Sequence, residues 1–295
     1  MPLSELLAYF NDRSGGGADV STRLRVDAQG AHGRYGELRL ESVFQPLFRL
    51  DSLEPFAYEA LLRVRDDSNL PVSPQQAFEQ PKTTDEILYF DRLCRSVHAV
   101  NFARQAGEES VLFLNVDGRH LLGVEGRNHG STFEKLLQHC GLKPRQVVLE
   151  IIESGIDDLE RLLDAVAAYQ ARGYRVAIDD FGCQHSNFDR LWQLTPDIVK
   201  LDRSLILQSE INPRARLILP KLVDIIHDLD ALVVCEGIET AAQHAFAREA
   251  GVDLVQGFLY ARPAPQLLAR RPEAATARLI RRADKHLAIS SFPAA

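Results

Sequence analysis

Residues 146–180, QVVLEIIESGIDDLERLLDAVAAYQARGYRVAIDD, decide the fold class. QVVLEII (146–152) and YRVAIDD (174–180) are nearly continuous apolar runs, as strands covered on both faces require. Between them, Asp157 to Arg172 places Leu159, Leu162, Leu163 and Val166 on one helical face, and Gly173 follows as a C-cap. Two buried strands joined by an amphipathic helix make a parallel βαβ unit.

The alternation extends in both directions. Further β-rich runs lie at SVFQPLFRL (42–50), AYEALLRV (57–64), SVLFLNV (110–116), DIVKL (197–201), ALVVCE (231–236) and DLVQG (253–257). Asp85 to Arg104 forms a helix with Ile87, Phe90, Cys94 and Val97 inward. Ser131 to Glu134 and Thr240 to Gln243 read as capping boxes opening two more helices. Eight strands between 42 and 257 predict an α/β fold, a (β/α)8 TIM-like barrel. Segment 51–56 is too short for a crossover helix, so the first strand is expected antiparallel to the rest. The expected divisions are an N-terminal extension over 1–40, the barrel over 41–270, and a C-terminal helix and tail over 271–295. RSGGGAD (13–19) and Gly30, Gly33 and Gly36 predict a loosely packed arm with a short helix from Leu3 to Phe10 and a strand or two. Glu273 to His286 reads as a final amphipathic helix.

Of 295 residues, 45% are hydrophobic and 25% charged, an ordinary globular balance. A net charge of −7 counts against a partner such as polymeric nucleic acid. Cys94, Cys140, Cys183 and Cys235 are scattered without a C-x-x-C pair, as in reduced cytosolic thiols. The start, MPLSELLAYFNDR, has too short an apolar run for a signal peptide. No stretch approaches ~18 uninterrupted apolar residues, so the expectation is a cytoplasmic protein without membrane insertion.

Polar residues fall at the C-terminal sides of the strands: Glu59, Asn115, Glu150, Asp179 with Asp180, Lys200, Glu236 and Gln256. Barrel active sites assemble from such strand ends. Five carboxylates with a single lysine need cations among them. Oxygen-only donors select Mg²⁺ or Mn²⁺ over zinc. The set suits two metals roughly 3.5–4 Å apart, an arrangement that hydrolyses phosphodiesters, with Asp179 or Asp180 placed to bridge. Plainer roles compete at some positions. Asp157 and Thr240 read as helix caps. A lone ion pair is the alternative for Lys200, and a turn for Asn115 or Gln256. His98, His185 and His227 read as surface or packed residues, and Cys183 and Cys235 as passive ones.

Glu59-Ala60-Leu61 within EALLR is accompanied in order by further motifs. Gln45-Pro46 precedes it; Asn115, Leu149-Glu150 with Glu153, and Asp179-Asp180-Phe181-Gly182 follow. Lys200-Leu201-Asp202, Glu236-Gly237-Ile238-Glu239-Thr240 and Gln256-Gly257 complete the series. Over residues 42–265 the chain therefore resembles the EAL-domain cyclic-di-GMP phosphodiesterases. The resemblance implies hydrolysis of cyclic-di-GMP to linear 5'-pGpG with two Mg²⁺ or Mn²⁺ ions. It implies Glu59, Asn115, Glu150, Asp179, Asp180 and Glu236 as metal ligands, with Glu59, Asp180, Lys200 and Glu236 in the catalytic set. Gln45, Leu62, Arg63, Gln256 and Pro263 are the implied substrate contacts, and Glu153, Asp202 and Glu239 the supporting residues. A homodimer formed through helices near the loop after Asp180 is implied as well.

The chain departs from the family at two places. Gln184 stands where the usual Phe-Gly-x-Gly-x-Ser has its second glycine, and Val64 replaces a frequent tryptophan. A non-glycine residue costs roughly 1 kcal/mol or more where φ must be positive. The altered loop leaves a second expectation open: a weak or inactive cyclic-di-GMP receptor or scaffold.

Overall fold

A computed structural model describes residues 7, 10–11, 23–119, 131–152, 158–182, 188–268 and 280. An N-terminal pair, β1 (Arg23–Val26) and β2 (Ala31–Tyr35), leads into β3 (Leu38–Arg49), β4 (Pro55–Arg65) and the short β5 (Pro71–Val72). Helices α1 (Pro74–Phe78) and α2 (Thr84–Ala103) precede β6 (Val111–Val116). Then come α3 (Ser131–His139), β7 (Val147–Ile152), α4 (Leu159–Ala171), β8 (Arg175–Phe181), α5 (Asp189–Leu194) and β9 (Ile198–Leu201). Helices α6 (Arg203–Ile211) and α7 (Pro213–His227), β10 (Leu232–Cys235), α8 (Ala241–Glu249) and β11 (Leu254–Val255) complete the order. The hydrogen-bonded strand order is β1-β2-β3-β11-β10-β9-β8-β7-β6-β4-β5, and an added β3–β4 pairing closes eight strands into a TIM-like (β/α)8 barrel. As expected, β3 runs antiparallel to β11, whereas β6–β7, β8–β9, β9–β10 and β10–β11 are parallel. Among the described residues no helix is long and apolar enough to cross a membrane.

By internal contacts the chain divides into two compact units. One contains Met1–Phe44, Tyr58–Val176 and Pro263–Leu267; the other contains Gln45–Ala57, Ala177–Arg262 and Leu268–Ala295. In the first unit Phe102 of α2 meets Phe44 and Tyr58 at centroid distances of 6.1 and 6.2 Å. In the second, Phe48 packs on Tyr260 at 5.5 Å.

Local chemistry sets the element ends. Thr83 with Glu86, and Thr240 with Gln243, close reciprocal capping boxes at α2 and α8. Helix α4 is capped by Asp158, whose side chain accepts the Arg161 N–H, so the cap falls one residue after the expected Asp157. Its buried face is Leu162, Ala165, Val166 and Tyr169, and Gly173 at φ +88° releases the chain into β8.

The described part of the N-terminal segment is not loose. Leu24, Ala31 and Tyr35 are buried, and the Asn101 side chain on α2 both accepts from Ala31 N–H and donates to Ala31 O, at 2.7 and 2.8 Å. Phe10 lies edge-on to Tyr89, whose hydroxyl donates to Phe10 O at 2.8 Å. Gly30 and Gly36 mark turns of a strand pair packed on α2, and Gly33 lies within β2 against Leu40 and Val97, where composition alone suggested slack. The body of the expected Leu3 to Phe10 helix, the glycine run at 13–19, Glu153, the loop from Cys183 to Asn187 with Gln184, and the expected 273–286 helix lie outside the described residues.

Candidate active site

In the first unit, three neighbouring strands carry oxygen-bearing side chains, Glu59 in the middle of β4 rather than at the expected strand end. Glu59 is buried on β4, Glu150 is fully buried on β7, and Asn115 on β6 stands in register with Glu150. Asn115 Nδ2 approaches Glu59 Oε1 at 3.5 Å. Strand alternation places Arg63 on the same face of β4 as Glu59, and its exposed side chain returns a bond to Leu62 O at 3.0 Å. Glu59, Leu62, Arg63 and Asn115 share one cavity of about 610 Å³.

The second unit solves a geometric problem. Consecutive residues of a regular strand face opposite sides, so Asp179 and Asp180 would diverge. The ladder between β8 and β9 pairs Ile178 with Val199 but Phe181 with Leu201, three steps against two. This bulge puts Asp180 at φ +54°, a conformation that aspartate tolerates better than most residues. One carboxylate oxygen each of Asp179, Asp180 and Glu236 then lies within 4.8 Å of the others.

Lys200 sits among these acids with 1% of its side chain exposed. Its Nζ is 2.8 Å from Asp179 Oδ1 and 2.7 Å from Glu236 Oε1. Burying an ammonium costs several kcal/mol, which the close approach of two carboxylates offsets. A lone ion pair was the simpler alternative; the lysine is instead shared between two carboxylates. The donors of this cluster are all oxygens and carry more negative charge than one lysine balances, so their chemistry fits a hard divalent cation. Cys235, beside Glu236, adds no ligand: burial, and secondarily the Glu236 charge, pushes its thiol up to about 12, far from thiolate.

Gln256 is buried, its N–H donating to Cys235 O and its carbonyl accepting from Ile238 N–H, both at 3.0 Å. The next residue permits this close approach. A Cβ on Gly257 would stand 2.0 Å from Ile238 O, so any side chain would push the Glu236-Gly237-Ile238 loop away. Glu239 pairs with Arg203 at 3.0 Å, and its N–H donates to Gln243 Oε1 at 2.7 Å. Asp202 caps α6 by accepting the Ser204 N–H. Gln45 and Pro263 are half-buried on β3 and after β11.

Three features escaped sequence reasoning. The bulge was signalled only by adjacent acids at the end of an apolar run. Asp117 and Arg119 line the cavity beside Asn115, joined by a bond from Arg119 NH2 to Asp117 Oδ2 at 2.6 Å. A buried Asp91–Arg95 pair lines it too, legible only as an acid and a base four apart among apolar helix positions.

Comparison with known proteins agrees with this geometry. Residues 34–263 match the family model described as EAL domain. The cyclic di-GMP phosphodiesterase RocR of Pseudomonas aeruginosa is 28% identical over 230 residues, 77% of this chain and 58% of that protein. Among solved structures, the Bacillus subtilis YkuI protein with an EAL domain, in complex with substrate c-di-GMP and calcium, is 26% identical with a TM-score of 0.70, covering 85% of this chain and 61% of that one. The Klebsiella pneumoniae BlrP1 manganese/cy-diGMP complex is 25% identical with a TM-score of 0.68, covering 76% and 56%. The chain spans 17%, 56% and 58% of the lengths of the first three curated relatives it matches.

Proposed function

The chain belongs to the EAL domain family, and from that premise we propose that it hydrolyses cyclic-di-GMP to linear 5'-pGpG with two Mg²⁺ or Mn²⁺ ions. The observation that carries this reading is the bulge that gathers Asp179, Asp180 and Glu236 around the buried Lys200. An apolar barrel needs no such cluster for its stability, and desolvated carboxylates repel one another.

Glu59, Asn115, Glu150, Asp179, Asp180 and Glu236 serve as the metal ligands. Asn115 would offer its amide oxygen as a neutral donor. Bound there, two cations would supply charge neutralisation of the phosphodiester and acidification of a water. Water adds to phosphorus, one P–O3' bond breaks, and the released 3' oxygen takes a proton. Lys200, already oriented by Asp179 and Glu236, donates a hydrogen bond where negative charge develops. Arg63 grips phosphate as a fork, and Gln45, Leu62, Gln256 and Pro263 contact the remainder of the substrate. Asp202 and Glu239 hold the strand-end loops. A cytoplasmic homodimer belongs to the same proposal; exposed Trp192, Ile211, Leu217 and Ile218 on α5 to α7 support an apolar contact surface.

The test is incubation of the purified chain with cyclic-di-GMP and Mg²⁺ or Mn²⁺, followed by chromatography. Accumulation of pGpG is expected. Nucleotide recovered bound but intact would overturn hydrolysis and favour the receptor role that Gln184 left open.

A further inference from the structure

Helix α2 carries an acid and a base one turn apart on its buried face. The side chains of Asp91 and Arg95 are each 2% exposed, and the guanidinium bonds to Asp91 Oδ2. On a solvated face this spacing would make an ordinary surface pair. Here both charges are removed from water, although apolar residues of similar volume would serve packing as well or better.

What the pair touches separates it from simple packing. Asp91 Oδ1 accepts the backbone N–H of Asp117 at 3.4 Å, in the turn leaving β6 two residues beyond Asn115. Asp91 and Arg95 line the same cavity as Glu59, Asn115 and Asp117.

We propose that the buried Asp91–Arg95 pair is a positioning device for Asn115. Asp91 fixes the turn after β6 and Arg95 fixes Asp91, so that the Asn115 amide is held beside Glu59. Partners behind a metal ligand govern its orientation, and losing them weakens binding without removing any donor. The inference rests on the proposed role of Asn115 as a cation ligand.

The test measures Mn²⁺ binding to the full chain directly, by electron paramagnetic resonance of free Mn²⁺ without nucleotide. The Asp91→Leu/Arg95→Met double variant is expected to fold with an unchanged or higher melting temperature. Its Mn²⁺ dissociation constant should rise about 10-fold or more. Asn115→Ala should weaken Mn²⁺ binding in the native background but add less than about twofold in the double variant, because both lesions act through one group. Arg95→Lys, which keeps the charge but loses the planar fork, should give a smaller loss in the same direction and decides the matter if the double variant does not fold. Native Mn²⁺ affinity in a folded double variant, or an undiminished Asn115→Ala penalty there, overturns the positioning role alone. An Asn115→Ala variant with native Mn²⁺ affinity overturns the ligand assignment itself, and the proposal with it.

Discussion

Replacing Lys200 with methionine removes one charge from a cluster that holds three acids, and its cost follows from the distances. Nζ lies 2.8 and 2.7 Å from the oxygens of Asp179 and Glu236. At an effective dielectric constant of about 20 each contact has a gross Coulomb energy of roughly 6 kcal/mol. Desolvation cancels most of that in the intact protein. Removing one partner of a buried pair nevertheless costs about 3–5 kcal/mol, because the other charge stays behind. The two carboxylates are 10% and 18% exposed and can recruit some water, which places the loss at the low end. An unfolding entropy of about 2.1 cal/mol/K per residue over 295 residues converts about 3 kcal/mol into a fall in melting temperature of roughly 5 °C. The assay is thermal unfolding followed by circular dichroism, first with excess chelator and then with millimolar Mn²⁺. The fall should be full in chelator and narrower with Mn²⁺, since a divalent cation supplies the missing positive charge. A melting temperature unchanged in chelator would refute the pairing energy, and a fall undiminished by Mn²⁺ would refute cation binding by these acids.

Other perturbations follow from single observations. Glu59→Ala and Asp179→Ala should each abolish pGpG formation while leaving the circular dichroism spectrum native; unchanged product in both would remove these residues from the site. Gly257→Ala should destabilise the protein by roughly 2–3 kcal/mol in urea unfolding, since its Cβ would stand 2.0 Å from Ile238 O. His98, buried with Nδ1 2.7 Å from Ser42 Oγ, is lowered to about 4 by burial against the opposing pull of Asp91. The unfolded chain takes up this proton first, so the contribution of His98 is intact above about pH 6.5 and is lost progressively down to about pH 4, by about 3 kcal/mol in all. His98→Gln should flatten the slope of urea stability against pH across that window; an unaltered slope would show that the histidine titrates normally.

The sequence by itself determined the barrel, its eight strands and its inverted first strand. Apolar period, capping boxes such as Thr240 with Gln243, and a connection too short for a helix are local properties of the chain. It also determined which strands end in acids, because a charged residue closing an apolar run is visible without coordinates. Only the tertiary structure decided how those residues are used. Strand alternation predicts opposite directions for Asp179 and Asp180, and it takes the β8–β9 register to reveal the bulge that reunites them. The two partners of Lys200 lie on β8 and just after β10, and nothing in the Val-Lys-Leu run names them. Asp91 and Arg95 look like a solvated pair until the packing around α2 removes the water. Periodicity states which face of an element is covered; burial of a charge depends on what covers it, and the covering groups come from distant parts of the chain.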